Sequence, residues 1–391
     1  MGLFTGSLTF RRFRVGGPKP GMWHDGHLAR LREFQFDQRE SLLAGQARAG
    51  WTAGSHIYDT EFSEMKNIFP DHLVWEICVE ADKLPQDRLK AYYETDLKAL
   101  TADNKTPYPS ARQKREARES AKSRLSGEAA DGRYRRWKTY PVAWDAVRNE
   151  VCLGTTSSAV ADRFVEKFVL TFEANLYQTP GFADKLRPIN AANLAVDLKP
   201  EAKDERLSRF VDGLPDTPNW NPSESDPHFL GNEFMLWLWH RAESGEDTLA
   251  LSDDSEVAYM FSGGIKLDCP RGNLGNDTLN HESAIRLPEA RAAARSGKLP
   301  RKAALTIVRH DNQFSFKFDA ESFAFGSARL PKPDAMGTRE QHEQRLGWLR
   351  DLGETIDLMY QAFLARRLSS YWEAELRDIR AWLGQTETVS A

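Results

Sequence analysis

Residues Ser110 to Leu125, SARQKREARESAKSRL, contain one large apolar side chain, Leu125. The stretch follows Pro107 and Pro109 and is built from good helix formers, so it predicts a helix of ~24 Å. Such a helix has no apolar stripe to bury and cannot pack as a core element. It is expected to project from the body or to line an open channel. On a helical wheel Arg112, Lys114, Arg115, Arg118 and Lys122 fall within an arc of ~160°. That face can meet phosphates along one groove without reading bases. Glu119 shares the arc and Glu116 sits beside it, so a solvated helix laced with i,i+4 ion pairs is the competing reading.

Charge distribution sharpens the point. The chain of 391 residues carries a net charge of −4. Eleven Lys or Arg between Lys105 and Lys138, against Glu116, Glu119, Glu128 and Asp131, give that segment +7 and leave −11 on the remainder. One basic surface on an acidic body is a footprint for a polyanion. Arg133, Arg135, Arg136 and Lys138 form a second cluster, interleaved with Tyr134 and Trp137. Aromatics among cations can stack on exposed bases. The alternative places Trp137, Tyr140 and Trp144 in the core; Tyr134, flanked by charges, is the candidate for an exposed ring. Lys298, Arg301 and Lys302 make a smaller basic turn that lacks the glycine and hydroxyl pattern of a phosphate-binding P-loop, as does GGPKPG at 16–21.

Other classes have weaker signals. No apolar run approaches the length of a membrane span, and the N-terminal segment has neither a signal-peptide pattern nor, with Gly6 at the sixth position, a myristoylation pattern. Cys78, Cys152 and Cys269 are far apart, which predicts buried thiols in a reducing cytoplasm rather than disulfides or zinc ligands. His24 and His27 lack further metal ligands and suit a helix start. His56, Asp59 and Glu61 are a conceivable metal-nuclease set, but no second carboxylate cluster accompanies them, and a polar turn is the simpler reading. No cofactor is called for.

The pattern along the chain predicts an α+β fold with antiparallel sheet in two to three subdomains. Strands are expected at 3–15, 72–80, 142–146, 150–155, 265–267, 303–309, 313–319 and 322–330. Helices are expected at 27–43, 85–100, 110–125, 157–173, 229–239 and 288–296, with one long helix over 339–383. The predicted divisions are 1–104, a basic helical segment 105–132, a hairpin–helix region 133–178, a Pro-rich connection 179–228, a second α+β region 229–335, and a terminal helix and tail 336–391.

The order of these segments resembles the recombination-associated RdgC family over most of the chain. The resemblance is carried by LFTGSLTFRR at 3–12, GWTAGSH at 50–56, VWEICVEADKLPQDRLKAYYETDL at 74–97, RYRRWKTYPVAWDAVRNEVCLGTTSSAVADRFVEKF at 133–168 and GKLPRKAALTIVRHDNQFSFKFDAE at 297–321. It implies a ring-forming homodimer that encircles duplex DNA without strong sequence preference; single-stranded DNA is a second candidate partner. It further implies that the protein restrains RecA on the nucleoid in the cytoplasm and has no enzymatic activity. Carried over residue by residue, it puts Lys114, Arg115, Arg118 and Lys122 on a projecting finger and Tyr134 at a ring-closing dimer contact. The remaining DNA contacts would come from Arg112, Arg124, Arg133, Arg135, Arg136, Lys138, Lys298, Arg301 and Lys302. The sequence departs from the family where Leu267-Asp268-Cys269-Pro270 replaces a Lys-Lys-Gln-Asp stretch at the second ring contact. Two other classes compete: a metal-dependent nuclease at His56, Asp59 and Glu61, and an interaction module acting through the terminal helix.

Overall fold

The structure is a computed structural model that describes residues 2–36, 48–82, 84–102, 108–176, 186–204, 207–208, 210–211, 229–269 and 275–384. In chain order the strands are β1 (Leu8–Val15), β2 (Arg48–Thr52), β3 (His72–Asp82), β4 (Arg135–Asp145), β5 (Glu150–Leu153), β6 (Leu186–Pro188), β7 (Thr248–Ala250), β8 (Glu256–Asp268), β9 (Asn276–Leu279), β10 (Leu299–Arg309), β11 (Asn312–Asp319) and β12 (Ala324–Arg329). The helices are α1 (Asp25–Glu33), α2 (Glu64–Asn67), α3 (Gln86–Thr101), α4 (Ala111–Ala129), α5 (Ser158–Leu176), α6 (Ala191–Leu198), α7 (Phe229–Glu243), α8 (Pro288–Arg295), α9 (Thr338–Arg367) and α10 (Trp372–Gly384). All strand pairs are antiparallel, and they run as one sheet in the order β2-β3-β4-β5-β1-β12-β11-β10-β8-β7, with β6 on β1 and β9 on β8. The class is α+β, with ten α-helices among the described residues.

β1 is the seam. Leu8 and Phe10 pair with β12, while Arg11 to Arg14 pair with β5. Alternation along a strand sends neighbouring side chains to opposite faces. Leu8 and Phe10 therefore enter one core and Phe13 and Val15 another. The first core packs α6, α7, α9 and α10 on the half-sheet β12-β11-β10-β8. The second packs α1 and α5 on β2-β3-β4-β5, with Trp51, Trp75, Trp144 and the α5 stripe Val160, Phe164, Phe168 and Phe172 buried. α7 is buried on nearly every side. Gly231 lets it lie on the β11–β12 turn, since a Cβ there would fall 1.7 Å from the Ala320 carbonyl oxygen.

Between the two cores lies a buried ion network. Arg12, 1% exposed, donates to both Asp357 oxygens at 2.6 and 3.0 Å and to Glu150 at 3.3 Å. Arg148 joins the same two acids at 2.6 and 3.1 Å, tying β1 and β5 to α9. Burial alone would raise the Glu150 carboxyl, but Arg12, Arg148 and Arg14 hold it below its usual value. Next to it, Arg350 bridges Asp145 and Asp71. His72 lies 3.7 Å from Asp145, and burial, opposed by Asp145 and helped by Arg350, brings its pKa down to about 4.

Several predicted elements change. The first strand begins at Leu8, because residues 3–6 turn and hand the Leu3 and Gly6 carbonyls to Arg345. α1 ends at Glu33, and the rest of the 27–43 helix, from 37 on, lies outside the described residues. The 179–228 connection contains β6 and the partly buried α6, with the rest of it mostly outside the described residues. The long terminal helix is two, broken at 368–371, where the Ser369 hydroxyl accepts from the Tyr371 N–H. The hairpin turn is His310-Asp311, both at positive φ, a two-residue loop one position earlier than predicted. β2, β7, β9 and the first half of β8 carried no recognised signal. The three cysteines are free, and no described helix is long and apolar enough to cross a membrane.

Candidate nucleic-acid interface

α3 and α4 form a helical hairpin inserted between β3 and β4. Ser110 starts α4 with a reciprocal cap: its hydroxyl accepts from the Gln113 N–H at 3.2 Å, and the Gln113 side chain accepts from the Ser110 N–H at 2.9 Å. The Gln113 amide also donates to the Leu100 carbonyl at 2.7 Å, fixing α4 against the end of α3. The buried residues of α4 are Ala117, Ala121, Leu125 and Ala129, spaced every four positions. Small side chains on that stripe let α3 approach closely, and α3 itself buries no residue fully. A small separate cluster of Leu125, Ala129 and Tyr134 with Leu84, Leu89 and Tyr92 closes the base of the hairpin. The other three faces of α4 are left to solvent, as its sequence requires.

Arg112, Lys114, Arg115, Arg118, Lys122 and Arg124 are all exposed. Arg124 is held within the hairpin, 3.0 Å from Asp96 and over the Tyr92 ring. Arg115 meets Glu119 only at 4.0 Å, with both side chains more than 70% exposed, which contributes little. Arg112, Lys114, Arg118 and Lys122 have no ion pair among the described residues. The ion-pair-laced alternative is therefore limited to one loose pair. Lys105 lies outside the described residues.

The second cluster divides. Arg136 and Lys138 are exposed on one face of β4, with Lys138 over the Tyr140 ring, while Arg135 on the opposite face is partly buried. Arg133 is turned back onto Asp131 through paired hydrogen bonds of 2.8 and 2.5 Å. Trp137 is half-buried between Phe36 and Tyr58, and Trp144 is fully buried. Tyr134 corrects the expectation of an exposed ring. It is 8% exposed, and its hydroxyl is shared by Arg88 at 2.8 Å and Glu128 at 3.1 Å. Hydrogen bonds from Tyr92, Tyr134 and Arg88 hold the Glu128 carboxyl below its usual value. As placed, Tyr134 serves its own hairpin.

Lys298, Arg301 and Lys302 do not join the hairpin. Lys298 pairs with Asp277 at 2.6 Å, Arg301 with Asp268 and Glu321 at 2.9 Å each, and Lys302 with Asp319 at 2.9 Å. Their cations meet carboxylates of neighbouring strands, unlike, among the described residues, those of Arg112, Lys114, Arg118 and Lys122. Asp268, from Leu267-Asp268-Cys269-Pro270, is one of those partners. The nuclease set fares no better. Asp59 accepts from Lys66 at 2.8 and 3.0 Å and from the Ser55 and Glu61 N–H groups, and the His56 ring accepts from the Tyr58 N–H. Among the described residues no three His, Cys, Asp or Glu are placed to share a metal ion. His24 caps α1 through the Gly26 N–H. The apolar stripe of α9 is buried against its own chain, leaving that face unavailable to a partner helix.

Two aromatics near the cations carried only faint sequence signals. Tyr108, two residues before the α4 cap, is 81% exposed. Tyr93 stands one turn from Lys90 on α3, where the mixed sequence reads as an ordinary amphipathic helix. Comparison with known proteins returns no matching family model and no matching curated protein.

Proposed function

We propose that the chain is a sequence-tolerant DNA-binding protein that grips the phosphate backbone with the outer face of α4. The observation that carries this is the set Arg112, Lys114, Arg118 and Lys122, exposed and without a carboxylate partner among the described residues, on a hairpin whose apolar contacts are mostly its own. Cations left unpaired on an otherwise acidic chain are matched to a polyanion, and a row along a helix suits a regularly spaced backbone rather than base edges. Arg136 and Lys138 extend the basic surface beyond the hairpin. The finer reading follows the resemblance to RdgC: a homodimer that closes around duplex DNA and limits RecA-dependent recombination by occupying it. With Tyr134 buried in its own chain, ring closure would have to use other residues.

Duplex affinity measured against salt tests the binding. Four neutralised phosphates give a slope of log K on log salt of about −3.6, and Arg115→Glu, Arg118→Glu and Lys122→Glu together should weaken binding to all sequences alike. Affinity that is flat with salt, or unchanged in the triple variant, removes α4 from the mechanism. Mass measurement on the same sample, with and without duplex, tests the dimer.

A further inference from the structure

We infer that the α3–α4 hairpin also carries a subsite for an unstacked nucleotide of single-stranded nucleic acid, with Tyr93 as its stacking platform. The inference rests on the hairpin being the nucleic-acid interface. A cleft of about 590 Å³ along the hairpin is lined by Gln86, Leu89, Lys90 and Tyr93 of α3 and by Lys114, Arg115 and Arg118 of α4. No acidic residue is among them. Leu89 and Tyr93 supply an apolar and an aromatic lining beside four cations, of which Lys90 and Arg115 meet Glu94 and Glu119 only loosely, at 3.9 and 4.0 Å.

The composition separates this cleft from a surface that only follows duplex. In a duplex the base faces are stacked on one another and unavailable, so an aromatic lining adds nothing to backbone contact. A single strand exposes those faces, and a tyrosine among cations can hold base and phosphate together. Tyr93 is half-buried and lines the cleft. Three neighbouring aromatics are committed elsewhere, Tyr92 to Glu128, Tyr134 to Arg88 and Glu128, and Trp137 to Phe36 and Tyr58, and the exposed Tyr108 is not part of the cleft lining. Gln86 also lines the cleft, its amide donating to the Leu84 carbonyl at 3.5 Å.

The test is fluorescence anisotropy on the full chain, with a labelled oligothymidylate of about 16 nucleotides and a duplex of the same length. Tyr93→Ala should weaken oligothymidylate binding roughly 5- to 100-fold and leave duplex binding unchanged. Tyr93→Phe, which keeps the ring, should bind both as the parent does, while Lys114→Glu with Arg118→Glu should weaken both. α3 buries no residue fully, so the alanine variant is expected to melt with the parent. If Tyr93→Ala leaves oligothymidylate binding intact, or weakens the two ligands equally, the stacking subsite is overturned. If the parent chain binds duplex but not oligothymidylate, this inference fails while the function proposed above stands. If it binds neither, that function fails first.

Discussion

Two arginine-rich regions of this molecule use the same side chain in opposite ways. At the seam between the cores, the buried Arg12 and the partly buried Arg148 share two carboxylates, Glu150 and Asp357. On α4, Arg112 and Arg118 stand in water without a carboxylate among the described residues, on a helix whose buried stripe is mostly alanine. The contrast shows that arginine count says little about role. What decides is whether an acid from a distant part of the chain arrives to neutralise it. A paired, buried cation belongs to the architecture, and an exposed, unpaired one is available to a ligand.

The sharpest way to break the comparison is at the seam. Arg12→Met leaves Asp357 and Glu150 short of a partner in a dry site, and should cost about 3–5 kcal/mol in denaturant unfolding, with duplex affinity of the folded fraction unaltered. A loss below 1 kcal/mol would mean that water or Arg148 already compensates. The neighbouring His72 gives a pH signature. Its folded pKa of about 4 lies below the unfolded value near 6.5, so the unfolded chain binds the proton first. Stability from this group is complete above pH 6.5 and is lost as pH falls toward 4, by about 3 kcal/mol in all. His72→Gln should flatten that part of the stability profile, and an unchanged profile would place the titration elsewhere.

Smaller effects belong to the hairpin. Ala121→Leu overfills the α3–α4 contact and should cost about 1–3 kcal/mol, seen first as faster amide exchange in 86–129 rather than in β10 or β11. Smallest of all, Lys114→Glu with Lys122→Glu should shift the melting midpoint by no more than about 2 °C while abolishing most duplex binding. A large drop in melting temperature would show that those lysines support the fold, and the contrast with Arg12 would collapse.

Much of this contrast was legible in the sequence on one side only. The α4 charge face needs no tertiary information, because a helix with so little apolar content has few places to go. The α5 stripe of Val160, Phe164, Phe168 and Phe172 was equally readable from its spacing, and all four residues are buried. The fates of Lys298, Arg301 and Lys302 were not readable. Their partners Asp277, Asp268, Asp319 and Glu321 reach them only through strand register, which no local pattern encodes. Tyr134 misled for a related reason: charged neighbours suggested exposure, while its burial depends on Leu89 and Tyr92, some forty positions upstream. The break at 368–371 and the folding of α6 into the first core likewise depend on contacts made far along the chain.

The seam strand also sets a timetable. The Ser327 N–H donates to the Thr9 hydroxyl across 318 positions, and Phe10 faces Phe325. During synthesis β1 can dock on β5 early, yet the edge that awaits β12 stays open until residues 324–329 have left the ribosome. An open strand edge is a template for pairing with another nascent chain. Slow translation, or a stop shortly before residue 324, would therefore favour aggregates joined through β1 over a truncated but soluble product.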